Sequence, residues 1–107
     1  APAVTKAIAY IDENYMKQPG LESISKAAGV SSQHLCRLFR QTLNCRPMEY
    51  ITKRKIQAAK MLLAETQKTV DQIAEETGFC DSSYFCKIFK RFESITPSQF
   101  RSIEQAL

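Results

Sequence analysis

The chain writes one passage twice. LESISKAAGVSSQHLCRLFRQTLNCRPMEY (21–50) aligns with VDQIAEETGFCDSSYFCKIFKRFESITPSQF (70–100). Ile24 matches Ile73, Gly29 matches Gly78, Phe39 matches Phe89, Pro47 matches Pro97 and Tyr50 matches Phe100, with one additional residue between Gly78 and Phe85. A repeat of this length could belong to a solenoid, but two copies are too few to build one. The fold must instead contain a duplicated supersecondary motif, and 107 residues leave room for one small domain or two very small subdomains.

The repeated unit is helical, because apolar residues recur with helical rather than alternating period throughout. Val4, Ile8, Ile11 and Tyr15 form one stripe, which predicts a helix over about 3–16. Leu21, Ile24 and Ala28 mark a short second helix stopped at Gly29, which is free to adopt positive φ. Ser31 caps a third helix with Leu35, Leu38, Phe39 and Thr42 turned inward, and Asn44 is a left-handed stop. Pro47 opens a fourth helix, to about Glu65, with Tyr50, Ile51, Ala58 and Leu62 among its inward residues. Thr69 to Gln72 reads as a capping box opening a fifth. Asp81 caps a sixth with Phe85, Ile88, Phe89 and Phe92 inward, and Thr96-Pro97-Ser98-Gln99 opens a seventh. Ile95 is placed to staple onto Phe100, and Cys45 onto Tyr50. The fold class expected is all-α, about seven helices.

Each copy is a short helix, a turn with Gly and a longer helix with bases outside. The helix-turn-helix pattern needs a small residue four before the turn Gly and an apolar one about six after it, where the helices cross. Ala74, Gly78 and Phe85 satisfy this in the second copy, allowing for its inserted residue, and Ser25, Gly29 and Leu35 in the first. A buried Ser25 hydroxyl needs a partner, and the Leu21 carbonyl one turn earlier is expected to serve. Removing the inward stripes leaves Ser32, Gln33, Cys36, Arg37 and Arg40 on the outer face of the third helix. Ser82, Ser83, Cys86, Lys87 and Lys90 form the same face of the sixth. His34 and Tyr84 are expected half-buried at the starts of these helices.

Arg and Gln read guanine and adenine edges in a major groove, whereas a single basic helix face is otherwise solvated surface. Two such faces in register favour DNA. The fourth helix, about 19 residues, makes a rod of roughly 28 Å, comparable with the roughly 34 Å between successive major grooves. Its KRK run (53–55) could meet phosphates or simply be solvated.

The net charge of +4 permits an anionic partner without proving one, and its distribution is uneven. Residues 1–46 carry six bases and three acids, residues 47–69 five and two, residues 70–107 four and six. No apolar run reaches membrane-spanning length and no signal-peptide pattern opens the chain. Its four cysteines therefore read as reduced thiols of a cytosolic protein.

With GFCDSSYFCKIFKRFESITPSQFR (78–101), IAEETGF before it and AKMLL (59–63) on the fourth helix, the chain resembles the DNA-binding domain of AraC/XylS-family bacterial transcription regulators over nearly its whole length. The resemblance implies a first helix-turn-helix subdomain (1–46), a linker helix (47–66) and a second subdomain (67–107), spanning two adjacent major grooves of double-stranded DNA. It implies DNA contact through Ser32, Gln33, Cys36, Arg37 and Arg40, and through Ser82, Ser83, Cys86 and Lys87, with Lys90 toward phosphate. It also implies RNA polymerase as a further partner, no cofactor, no membrane and a cytoplasmic location. This domain would be monomeric, and the parent dimeric through a sensing domain that these residues, opening on Ala1 rather than Met, do not contain. The chain departs from the family pattern in having Asn44 and Ser94 where Gly is usual, Ser25 for Ala, and Arg46 for a capping Ser or Thr.

Other chemistries are poorly served. Cys36, Cys45, Cys80 and Cys86 contain no paired C-x2-C spacing, and the one histidine, His34, completes no zinc set. His34 lies about 200° round the helix from Cys36, so it is no base for a thiol nucleophile, and an enzyme is not expected. A redox role for Cys36 or Cys86 stays open, since each precedes a base. A helical protein-interaction module would need an exposed apolar face, and the stripes here are used up in two small cores.

Overall fold

A computed structural model describes residues 1–107, and all of its regular structure is helical. Seven α-helices follow in order: α1 Pro2–Asn14, α2 Leu21–Ala28, α3 Ser32–Leu43, α4 Pro47–Glu65, α5 Val70–Glu76, α6 Ser82–Glu93 and α7 Pro97–Ala106. A single 3₁₀ turn, Tyr15–Lys17, ends α1.

The local signals set the boundaries. Ser31 Oγ accepts from the His34 amide at 3.1 Å and Asp81 Oδ1 from the Tyr84 amide at 2.7 Å. Thr69 with Gln72 and Thr96 with Gln99 form complete reciprocal capping boxes. Each box satisfies two amides that helix starts otherwise leave unpaired. Helix stops are left-handed at Gly29 (φ 76°), Asn44 (φ 55°) and Ser94 (φ 71°), and Gly78 turns at φ 88°. Serine strains in that region because its Cβ approaches the next carbonyl. Ser94→Gly is expected to stabilise the protein by about 0.5–1 kcal/mol. A urea midpoint that stays put or falls would refute this.

The chain divides into two compact units, Ala1–Arg54 and Lys55–Leu107. The division falls inside α4 rather than at its ends, because α4 serves both cores. In the first unit, Ile51 joins Val4, Ala7, Ile11, Ile24, Leu35 and Phe39. The Phe39 ring meets Tyr50 edge-on at 5.9 Å. In the second unit, Ile56, Ala59 and Leu63 join Ile73, Phe79, Phe85, Ile88 and Phe89. Phe89 there touches two rings edge-on, Phe85 at 5.7 Å and Phe100 at 5.6 Å.

The open carbonyls at the end of α4 are closed by α7. Arg101 donates to Leu63 O and Thr66 O at 3.1 and 3.2 Å, and Gln105 donates to both at 3.0 Å.

Two inward assignments need correction. Thr42 is exposed, and the apolar Leu43 packs against the first core in its place. Ser25 is buried, but its hydroxyl donates to Glu22 O at 3.0 Å rather than to Leu21 O, and it also meets Ser32 Oγ at 3.1 Å. The shorter i−3 reach wins over i−4.

Candidate nucleic-acid interface

Each recognition-helix face is what remains after its core stripe is buried. On α3, Leu35 and Phe39 are fully buried, which turns Gln33, Arg37 and Arg40 to solvent and leaves Ser32 and Cys36 half-buried at the edges. On α6, burial of Phe85, Ile88 and Phe89 exposes Ser83, Lys87 and Lys90, with Ser82 and Cys86 half-buried. Each unit therefore gathers its own set of sequence-predicted residues onto one helix. The three ion pairs of the structure are Arg54–Asp12, Lys60–Glu93 and Lys68–Glu76. Arg37, Arg40, Lys87 and Lys90 take part in none of them.

The cysteines are less outward than expected. The Cys86 side chain packs against the second core, because it neighbours the Phe85–Phe89 stripe. Burial pushes its thiol pKa up, and the Asp71 carboxylate adds to the rise. Cys45 is buried and also raised, again chiefly by desolvation. Neither is a thiol activated toward the thiolate.

His34 and Tyr84 are exposed rather than half-buried. Both occupy the third helical position, one residue before the buried stripe, where the turn behind them covers little. Tyr84 is 48% exposed and only leans on the Phe79 ring, at 6.2 Å. These two belong to the exposed starts of α3 and α6. Their matching positions in the repeat were the available signal.

The KRK run is mostly committed elsewhere. Arg54 pairs with Asp12 at 3.1 Å and lies 4.4 Å over the Tyr15 ring. Lys55 sits 5.3 Å from the Phe79 ring centre, and burial lowers its pKa. Of the three, only Lys53 is exposed.

Surrounding charge differs between the motifs. A depression at the start of α6 is lined by Asp71, Glu75 and Asp81 together with Cys80 and Ser82. The matching depression at α3 is lined by Lys26 and Glu22 with Ser23, Ser25, Ser31 and Ser32. The second motif thus carries more acid beside its recognition helix, which would weaken attraction to an anion.

A family model described as a helix-turn-helix domain matches residues 24–103, from within α2 into α7. The chain belongs to the AraC-type helix-turn-helix family. This AraC-type domain is 31% identical over 98 residues to the lactose operon transcription activator of Staphylococcus xylosus, a match covering 92% of the chain and 35% of that protein. The chain thus spans about a third of that curated relative's length. A solved AraC-type transcriptional regulator from Chromobacterium violaceum superposes with a TM-score of 0.92 at 29% identity, covering 96% of this chain and 92% of that one. The DNA-binding domain of AdpA, a global transcriptional factor solved with a target DNA, shares the fold at a TM-score of 0.92 and 22% identity, covering 99% and 96%. The family is one of DNA-binding transcriptional regulators, and this chain is a helix-turn-helix domain of that family. No helix is long and apolar enough to cross a membrane.

Thiol labelling of the AraC-type domain gives a direct test of the two faces. Exposed Cys80 is expected to alkylate first and buried Cys45 last. Cys86, with its raised pKa, should need higher pH for the same rate, since the thiolate is the nucleophile. Saturating specific DNA should protect Cys36 and Cys86. Unchanged labelling of both would refute their place at the interface.

Proposed function

We propose that the chain binds double-stranded DNA sequence-specifically, with α3 and α6 entering adjacent major grooves, and regulates transcription in a bacterial cytoplasm. The observation that carries this reading is the pair of matched recognition faces, each with two exposed cations outside the protein's ion pairs. The first subdomain (1–46) contacts DNA through Ser32, Gln33, Cys36, Arg37 and Arg40. The second (67–107) uses Ser82, Ser83, Cys86, Lys87 and Lys90, with the linker helix (47–66) between them. The 19-residue α4, a rod of roughly 28 Å, supports a two-groove span. The domain binds as a monomer. A larger parent, dimeric through a further domain, and contact with RNA polymerase are consistent with the greater length and the activator role of the Staphylococcus xylosus relative.

Selection from random duplex DNA should return two half-sites about one helical turn apart. A single half-site would remove the two-groove reading. Binding should weaken steeply with salt, and Arg40→Ala should weaken all sequences alike and reduce the log–log salt slope by about 1. Salt-independent mobility shifts would sink the DNA reading itself.

A further inference from the structure

The two motifs differ at one buried position, and the difference reaches the recognition face. Ser25, on α2, is 4% exposed, while Ala74 holds the matching place in the second motif at 1%. A serine hydroxyl has one proton to donate and two lone pairs to accept with. Ser25 donates its proton to the Glu22 carbonyl at 3.0 Å. Ser32 Oγ, at the first position of α3, stands 3.1 Å from Ser25 Oγ. Both contacts are satisfied together only if Ser32 donates to Ser25. Its proton then points into the protein, and only lone pairs remain to face outward.

An oxygen with no free proton can accept a hydrogen bond but not donate one. In the major groove the adenine N6 and cytosine N4 amino groups donate, whereas guanine N7 and O6 and thymine O4 accept. Phosphate oxygens also only accept. We infer that Ser25 is a positioning residue that makes Ser32 a one-way acceptor, selecting an amino-bearing base, adenine or cytosine, and rejecting guanine, thymine and phosphate. Ala74 offers Ser82 no such partner, so Ser82 keeps its proton for either role. This rests on the proposed entry of α3 into a major groove.

The test uses the 107-residue chain, Ser32→Ala and Ser25→Ala, each selecting from a randomised duplex library with sequencing of the bound fraction. Ser25→Ala installs the residue that the second motif already carries at the matching place, so the turn is kept. The wild-type chain should show one position preferring adenine or cytosine over guanine and thymine by roughly 3- to 10-fold, the worth of one hydrogen bond. Ser32→Ala should flatten that position. Ser25→Ala should admit guanine or thymine there within about 2-fold of the original bases, leaving other positions unchanged. Retention of the wild-type preference by Ser25→Ala would overturn the inference. So would a Ser32→Ala profile identical to wild type at every position. Neither result touches the DNA reading, because the wild-type chain still selects a site. A wild-type chain that selects no sequence would defeat both.

Discussion

Replacing Arg37 with Ala is expected to cost ~1–3 kcal/mol on a selected DNA site, roughly 5- to 150-fold in affinity, and to relax one position of that site. The guanidinium is exposed on α3, flanked by the fully buried Leu35 and Phe39, which hold the helix surface in place behind it. No ion pair inside the protein competes for it. A planar fork of donors matches guanine N7 and O6, a match that Lys makes only as a point charge. Arg37→Lys should therefore lose most of the same discrimination while keeping the salt slope. Competition titrations on the selected duplex and on random duplex decide the matter. Equal losses on both would show that Arg37 meets phosphate rather than a base. The corresponding Lys87→Ala loss is expected to be smaller, because Asp71, Glu75 and Asp81 line the depression at the start of α6.

The largest effect on stability is expected from Phe89→Ala, a loss of ~3–5 kcal/mol. Phe89 is fully buried in the second unit and makes edge contacts with both Phe85 and Phe100. Truncation removes both ring contacts and leaves a cavity in the core that also holds Ile56, Leu63 and Ile88, and small cores refill such gaps poorly. Total domain stabilities are only about 5–15 kcal/mol, so the variant should melt more than about 10 °C lower. A shift of only a few degrees by circular dichroism would mean that the site collapses around the gap. Because Phe89 lies on α6, the helix that also carries Lys87 and Lys90, DNA binding should fall with unit stability at temperatures near the new midpoint.

Helix starts and stops are legible in the sequence itself. The capping bonds of Ser31, Thr69, Asp81 and Thr96 all join residues three apart, and the left-handed stops at Gly29, Asn44 and Ser94 are single-residue properties. The apolar stripes likewise needed only the helical period, so the outer faces of α3 and α6 emerged by subtraction. Where the stripe meets a marginal residue, packing overrides the helical period. Thr42 lost its inward place to Leu43, and His34 and Tyr84 proved exposed because coverage at a helix start depends on what the preceding turn overhangs.

The duplicated helix-turn-helix, its caps and the identity of the two basic faces follow from local sequence, because each depends on neighbours within one or two helical turns. Which charges and hydroxyls remain available depends on packing between elements. Arg54 lies 42 positions from Asp12 in the chain, yet pairs with it at 3.1 Å and is withdrawn from a basic run that reads uniformly as KRK. Lys55 is half-withdrawn over Phe79, and Ser32 is tied through the turn to Ser25. A hydrogen bond or ion pair forms when folding brings two groups within about 3 Å, a condition that linear spacing sets inside a helix and that packing sets everywhere else.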